Sequence, residues 1–163
     1  MRSLLPIVFA AAVLCMTSCN DSSCYDNGSS LPLATLCIGS SQQTVNGLTI
    51  MGIGAPGDSL LADSSSLKEI YLPLRASVGT TSYAISRWVG IGTPMAKELH
   101  DTLTLNYEAI AFFHSAECGA MYNFDIHSLN CTHNGIDSVV LLTPLVTNSR
   151  TPALRIHFTD FSQ

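Results

Sequence analysis

The cysteines of this chain carry its most specific chemistry, beginning with the first segment. Arg2 precedes an apolar run from Leu4 to Met16, and the run is followed by Thr17-Ser18-Cys19. A charged start, a short apolar stretch and small residues before a cut are typical of a secretory signal, and the stretch is too short to span a bilayer. The closing cysteine is typical of a bacterial lipoprotein signal. We therefore predict that residues 1–18 are a signal peptide and that Cys19 carries the lipid.

A lipid on Cys19 predicts where the protein is located and how the rest of the chain is divided. The protein is expected in the cell envelope, anchored in the outer membrane on its periplasmic or surface face. Residues 19–32 contain Asn, Asp, Ser and Gly with little to bury, so they are predicted to form a lipidated tether. Residues 33–163 are left as a single folded domain.

Four more cysteines follow the lipidation site, whereas Cys15 lies inside the signal. An even number of cysteines in an exported chain indicates two disulfides. The C-x2-C spacing that is typical of zinc sites does not occur. We favour long-range bridges, Cys24–Cys118 and Cys37–Cys131, because each would close a long loop of the unfolded chain. The local alternative joins Cys24 to Cys37 and Cys118 to Cys131, and the sequence leaves it open.

Histidines are the other residues that could hold a metal. The five are His100, His114, His127, His133 and His157, and no HExxH or His-x-His motif occurs among them. His127 and His133 are the nearest pair, on a predicted strand and the turn after it, and are the only weak candidates for metal ligands. Ordinary surface roles are the favoured interpretation, so no cofactor is expected.

Catalytic motifs are missing from the sequence. It contains no G-x-S-x-G nucleophile turn, P-loop, G-x-G-x-x-G fingerprint or D-x-[DN]-x-[DN]-G calcium loop. Gly52-Ile-Gly54 and Gly90-Ile-Gly92 are better explained as bends or bulges. Tyr83 and Trp88 share a predicted strand at an odd separation, so they face opposite sides, with core packing the expected role of Trp88. No enzyme class is predicted.

Three short segments match the D-[ST]-apolar sequon for O-glycosylation of exported proteins. They are Asp58-Ser59-Leu60, Asp101-Thr102-Leu103 and Asp137-Ser138-Val139. The sequons mark Ser59, Thr102 and Ser138 as candidate acceptors. Each segment also begins a predicted strand, where Asp followed by a hydroxyl residue is an ordinary choice.

Short runs with a two-residue hydrophobic period recur between turn signals along the domain. Leu103, Leu105 and Tyr107 alternate with polar residues, as a half-buried strand requires. Short helical turns are allowed at Asp58 to Ser65 and at Met95 to His100. The pattern predicts an all-β sandwich or barrel. The candidate strands are 33–39, 44–53, 66–73, 82–89, 101–107, 110–114, 122–129, 137–142 and 154–158.

Several short segments resemble a Bacteroidetes family of small lipoproteins that is known only as a domain of unknown function. The segments are Cys24, Met51 to Leu60, Tyr71 to Leu74, Asp101 to Tyr107, Glu117-Cys118-Gly119 and Ile136 to Val139. The resemblance implies an immunoglobulin-like antiparallel β-sandwich of about seven to nine strands on a lipid anchor. It also implies a bridge from Cys24 to Cys118. It implies no activity.

The balance of charge and the missing motifs limit the function classes. Seven Lys and Arg stand against twelve Asp and Glu, without a basic run, so nucleic acid is not an expected partner. We predict a non-catalytic binding or accessory module, with the membrane and an envelope protein or glycan as its partners. The alternatives are a metal-dependent or hydrolytic enzyme with a site built from loops, and a structural subunit of the pilus type.

Overall fold

The domain is built from strands. A computed structural model describes residues 30–57, 59–115 and 119–161, apart from the side chains at 114 and 115. Across these ranges the chain forms eleven strands in two sheets and no helix. In the same ranges no helix is therefore long and apolar enough to cross a membrane. The prediction of an all-β, sandwich-like architecture is confirmed, whereas immunoglobulin-like connectivity in particular stays a prediction.

The first sheet brings the two ends of the domain together. Its strands are β1 (Leu33–Ile38), β2 (Ser41–Gln42), β5 (Glu69–Tyr71), β9 (Ile136–Leu141) and β11 (Pro152–Phe158). β1 pairs in parallel with β11, and β9 continues the sheet beyond β11. β2 and β5 pair with different halves of β1, antiparallel to it.

The second sheet is larger and antiparallel. Its strands are β3 (Val45–Gly52), β4 (Leu60–Leu67), β6 (Thr80–Val89), β7 (Lys97–Ser115), β8 (Gly119–Cys131) and β10 (Leu145–Val146). They lie in the order β10-β8-β7-β6-β3-β4. The long central strand β7 pairs with β6 along its first half and with β8 along its second.

The core lies between the sheets and follows the alternation of the strands. Inward-facing Leu36 and Ile156 of the first sheet pack in one cluster with Leu103 and Leu105 of the second. Tyr107 and Phe124 add an edge-to-face ring pair, with centroids 5.4 Å apart. The hydroxyl of Tyr107 accepts from the N–H of Arg75 at 3.0 Å and donates to its carbonyl at 2.9 Å. These two hydrogen bonds hold the segment that connects β5 of the first sheet to β6 of the second.

Most predicted strands are present, but both predicted helical turns are wrong. Residues 60–67 form β4, the edge strand beside β3, where one side is solvated and a Ser-rich sequence is therefore tolerated. β7 already begins at Lys97, because its pairing with β6 extends to Val89. β7 also joins the two strands predicted at 101–107 and 110–114 into one.

The end of the predicted tether is packed on the fold, and its position orients the molecule. Ser30 is buried, its N–H donates to Tyr122 O at 3.0 Å, and its hydroxyl donates to Asn123 Oδ1 at 2.8 Å. Tyr122 pairs with Ala111 near the far end of β7. At about 3.3 Å per residue, that point is on the order of 40 Å from the β6–β7 turn. The N-terminal attachment point and the β6–β7 turn are therefore at opposite ends of the sandwich.

Candidate binding groove

A groove of about 340 Å³ crosses the outer face of the second sheet. Its floor consists of outward-facing residues from neighbouring strands, because pairing places Thr49 beside Ser86 and Ala84 beside Thr102. Met51 of β3 adds an apolar patch to this floor. The floor is thus made of hydroxyl groups and small apolar surfaces, without a charged side chain.

Two walls deepen the groove. Leu60 of β4 contributes on one side, and Thr132 and Asn134 from the β8–β9 turn contribute on the other. His100 of β7 lines the same groove, with Nε2 at 3.6 Å from Glu98 Oε2. The arrangement is concave and mixed in polarity, as small-molecule sites commonly are.

The wall formed by the β8–β9 turn is fixed by one buried carboxylate. Asp101 is 6% exposed. Its Oδ1 accepts from the hydroxyl of Thr132 and the N–H of Asn134, both at 2.7 Å. Its Oδ2 accepts from the N–H groups of Gly135 at 2.7 Å and Ile136 at 3.0 Å. A buried charge is tolerated only with such partners, so Asp101 holds the turn rigid at the side of the groove.

Trp88 lies on the face that carries the groove, contrary to the expected core packing. Tyr83 is the buried member of the pair at 1% exposure, whereas Trp88 is 44% exposed. Burial raises the pKa of the Tyr83 hydroxyl, which donates to Pro73 O. The register places Trp88 two residues beyond Ser86 on the same outward face. Tyr83 and Trp88 therefore face opposite sides of the sheet, as predicted, but Trp88, which was expected in the core, is on the outer face.

The structure does not bring His127 and His133 together. Both are exposed, and they are six positions apart along β8 and its turn, a span of about 20 Å in extended chain. His133 Nδ1 lies 3.1 Å from Ile136 O and therefore donates to it. No group of three or more metal-ligating side chains occurs within the ranges that the structure describes.

The predicted bridge between Cys37 and Cys131 is not present, because both are free cysteines. Alternation along β1 directs Leu36 to the core and Cys37 to the opposite face of the first sheet. Cys131 instead ends β8 in the second sheet and packs against the core. The two thiols therefore point in different directions from different sheets. Burial, with a smaller contribution from Asp101, raises the pKa of the Cys131 thiol.

The remaining predicted residues are placed separately. Of the three glycosylation candidates, Thr102 lines the groove, Ser59 is exposed just before β4, and Ser138 is on β9 opposite His157. His157 Nδ1 lies 2.7 Å from Gly39 O and donates to it. The predicted lipid site Cys19 and the bridge Cys24–Cys118 lie outside the described residues.

Sequence reasoning missed the role of Asp101 in the groove wall and the exposure of Trp88 beside the groove. Asp101 was noted as the start of a sequon and of a predicted strand but not as an anchor, although the Asn134-Gly135 turn that it holds was recognisable. Trp88 was assigned to the core. A signal for Asp101 was present in the sequence. Asp101 has the same alternation as Leu103, Leu105 and Tyr107, so it falls on the inward face of the strand, where an acidic residue is unusual.

A second cavity lies at the β6–β7 turn and differs from the groove. Its volume is about 740 Å³, and Val89, Pro94, Met95, Lys97 and Phe161 contribute to its lining. Lys97 Nζ lies 5.7 Å from the centroid of the Phe161 ring. The exposed turn residue Met95 contributes to its rim, whereas Val89 is buried.

One comparison with known proteins gives a match. The model of a family of unknown function, DUF6452, matches residues 47–158, and the chain belongs to this family. The matched region contains the whole groove and extends from β3 to the end of β11. No curated protein and no solved structure matches the chain.

Proposed function

We propose that this member of the DUF6452 family is a lipid-anchored envelope protein whose sandwich is a non-catalytic binding module with the groove as its ligand site. The observation that carries the proposal is the rigid turn beside the groove. Four hydrogen bonds to Asp101 fix that wall without contributing a free acid or base to the groove. A site ordered in advance loses less entropy when a ligand binds.

The chemistry near the groove supports binding over catalysis. Among the described residues that line the groove, only His100 and Asp101 have titratable side chains, and the carboxylate of Asp101 is already occupied by donors. The neighbouring thiol of Cys131 has a raised pKa, which is the wrong direction for a nucleophile. His133 Nδ1 is 3.8 Å from Cys131 Sγ, but Asp101 accepts no bond from that histidine. A nucleophile, base and orienting acid are not aligned here.

The orientation of the fold supports presentation from a membrane. The proposed anchor is Cys19, and Ser30, the first residue that the structure describes, packs near the far end of β7. Thr102, in the groove, is only five residues from Lys97 at the start of β7. The groove is thus in the half of the sheet remote from Ser30, so it would be held at a distance from the proposed anchor.

Mass spectrometry of the protein extracted from its native membrane tests the anchor. We expect the mature chain to begin at Cys19 with added acyl mass, and Cys19→Ser to move from the detergent phase to the aqueous phase. An unlipidated chain in the aqueous phase would overturn the anchor. The same spectra, taken without reduction, determine whether Cys24 is joined to Cys118.

Photo-crosslinking in cells tests the groove. His100 is replaced by p-benzoylphenylalanine, and the matched control carries the same group in place of Tyr71, which is exposed on β5 of the other sheet. We expect an adduct with an envelope protein or glycan from position 100 and none from position 71. Equal adducts at both positions, or none at position 100, would contradict the groove as the binding site.

A further inference from the structure

We propose that the groove binds a neutral carbohydrate, an inference that rests on the proposed function of the sandwich as a binding module. Sugar rings present hydroxyl groups at their edges and C–H groups on their faces. The groove offers both complements, with Ser86, Thr102 and Asn134 as polar partners and Met51 and Ala84 as apolar surface.

Two hydroxyl groups in the groove are free to bind a ligand. No hydrogen bond within the described part of the chain uses the side-chain hydroxyl of Ser86 or Thr102. Thr102 is held by its backbone alone, since its N–H donates to Thr132 Oγ1 at 2.9 Å and its carbonyl accepts from Thr132 N at 3.1 Å. A hydroxyl both donates and accepts, so these groups match sugar hydroxyls in either direction.

An aromatic platform lies next to these hydroxyls. Trp88 is on the same strand face as Ser86, one two-residue step of about 6.6 Å away. The opposing position on β3 is Gly47, where an added Cβ would lie 3.5 Å from Trp88 Cβ. Ile91 Cδ1 would lie 3.7 Å from the same added Cβ, so the place left by the missing side chain is bordered by Ile91. An exposed indole ring gives a sugar a flat apolar surface of the kind that C–H groups pack against.

Charge selects a neutral sugar over an acidic one. Among the described residues no Lys or Arg lines the groove, and Glu98 Oε2 lies 3.6 Å from Nε2 of His100, which does line it. A uronic acid would therefore place its carboxylate without a cationic partner and near a like charge. The volume of about 340 Å³ is at the lower end of the range for small-molecule sites, which suits one or two sugar rings.

Saturation-transfer NMR on the mature protein provides the test. The probes are cellotriose, mannotriose, maltotriose and the N-acetylglucosamine trimer, with trigalacturonic acid as the acidic comparison. We expect at least one neutral trimer to receive saturation and the acidic trimer to receive none. The affinity of the binding trimer, measured by calorimetry, should fall about tenfold in Trp88→Ala. It should fall about two- to tenfold in Thr102→Val.

The variants are matched so that a failure of folding is not mistaken for a loss of binding. Thr102→Val removes only the hydroxyl and keeps both backbone bonds to Thr132. Tyr71→Ala removes an exposed aromatic ring from the other sheet, and its affinity should equal that of the parent. The carbohydrate proposal would be overturned if no neutral trimer received saturation. It would also be overturned if Thr102→Val bound the trimer with the affinity of the parent, or if Tyr71→Ala lost as much affinity as Trp88→Ala.

Two further outcomes separate this inference from the proposed function. If no trimer binds while position 100 still crosslinks to an envelope protein, the ligand class is wrong and the binding role stands. If the native protein carries a covalent glycan on Thr102, the groove is already occupied and binding of a free sugar there is contradicted.

Discussion

Two turns near the same end of the sandwich are held in different ways. In the β8–β9 turn, one buried carboxylate accepts three backbone N–H groups and a hydroxyl, all from residues 132–136. In the β6–β7 turn, the side chain of Thr93 bonds the backbone of its own turn, donating to Gly90 O at 2.7 Å and accepting from Met95 N at 3.3 Å. The first turn depends on a distant residue, and the second depends on its own sequence.

The difference in anchoring matches a difference in surface. The β8–β9 turn contributes a fixed polar wall to the groove. The β6–β7 turn exposes Ile91 at 70% and Met95 at 82% beside the larger cavity. Preorganisation favours selective recognition of small polar ligands, so the first turn suits the groove that we propose as the site. Each turn can be broken separately, and the effects should differ in size.

The largest effect is expected from removing the carboxylate of Asp101. Asp101→Ala leaves the buried N–H groups of Gly135 and Ile136 without acceptors, so the free energy of unfolding should fall by about 3–4 kcal/mol. Urea denaturation measures the change. Asp101→Asn keeps the volume and one acceptor oxygen, so it should cost about half as much. A loss below about 1 kcal/mol in Asp101→Ala would show that the turn is held by something else.

This anchor shows why part of the site was hidden in the sequence. Turn residues Asn134 and Gly135 are a recognisable local signal, but their anchor Asp101 lies 33 and 34 residues earlier in the chain. Only the pairing of β7 with β8 brings the two together. The strands themselves were largely predictable, because a two-residue hydrophobic period is a local property. β4 was missed because an edge strand needs little apolar alternation.

The groove illustrates the same limit. Thr102 was identified from a sequon, whereas its neighbours Thr49, Ser86 and Thr132 come from other strands and depend on register. Trp88 shows that alternation predicts which residues share a face and not which face is covered. Which face is covered depends on the side on which the first sheet packs, and that is a property of the whole fold.

The glycines of the β6–β7 turn should give the next largest effect. Gly90 has φ of 66°, and an added Cβ would lie 3.1 Å from Thr93 Oγ1 and 3.2 Å from Met95 O. Gly92 has φ of 85° with nothing within 4 Å. Gly90→Ala should therefore cost about 2 kcal/mol and Gly92→Ala about 1 kcal/mol, measured by urea denaturation. Equal costs would show that crowding by Met95 and Thr93 does not contribute.

The thiol beside the β8–β9 turn reports on the charge of Asp101. Burial and, to a smaller extent, Asp101 raise the pKa of Cys131, so its alkylation by iodoacetamide should begin at higher pH than for an ordinary thiol. In Asp101→Asn this onset should move to lower pH but stay above the ordinary value, because burial remains. Peptide mass spectrometry reads the labelled fraction at each pH. No movement would mean that Asp101 does not influence the thiol.

Cys37 is the internal control for the same experiment. It is 1% exposed and should resist alkylation until the protein is unfolded. A native disulfide between Cys37 and Cys131 would leave both unlabelled even after unfolding, until a reductant is added. The labelling pattern therefore distinguishes free thiols from the bridge that was predicted from spacing.

The smallest effect on stability is expected at the exposed tip of the β6–β7 turn. Ile91→Ser and Met95→Ser replace side chains that are mostly in solvent, so the free energy of unfolding should change by less than about 0.5 kcal/mol. Trimer binding in the groove should also be unchanged in Met95→Ser, because Met95 lines the second cavity and not the groove. A larger loss of stability would mean that this tip is packed as firmly as the turn held by Asp101. The contrast between a turn anchored from a distance and a turn that depends on its own glycines would then no longer hold.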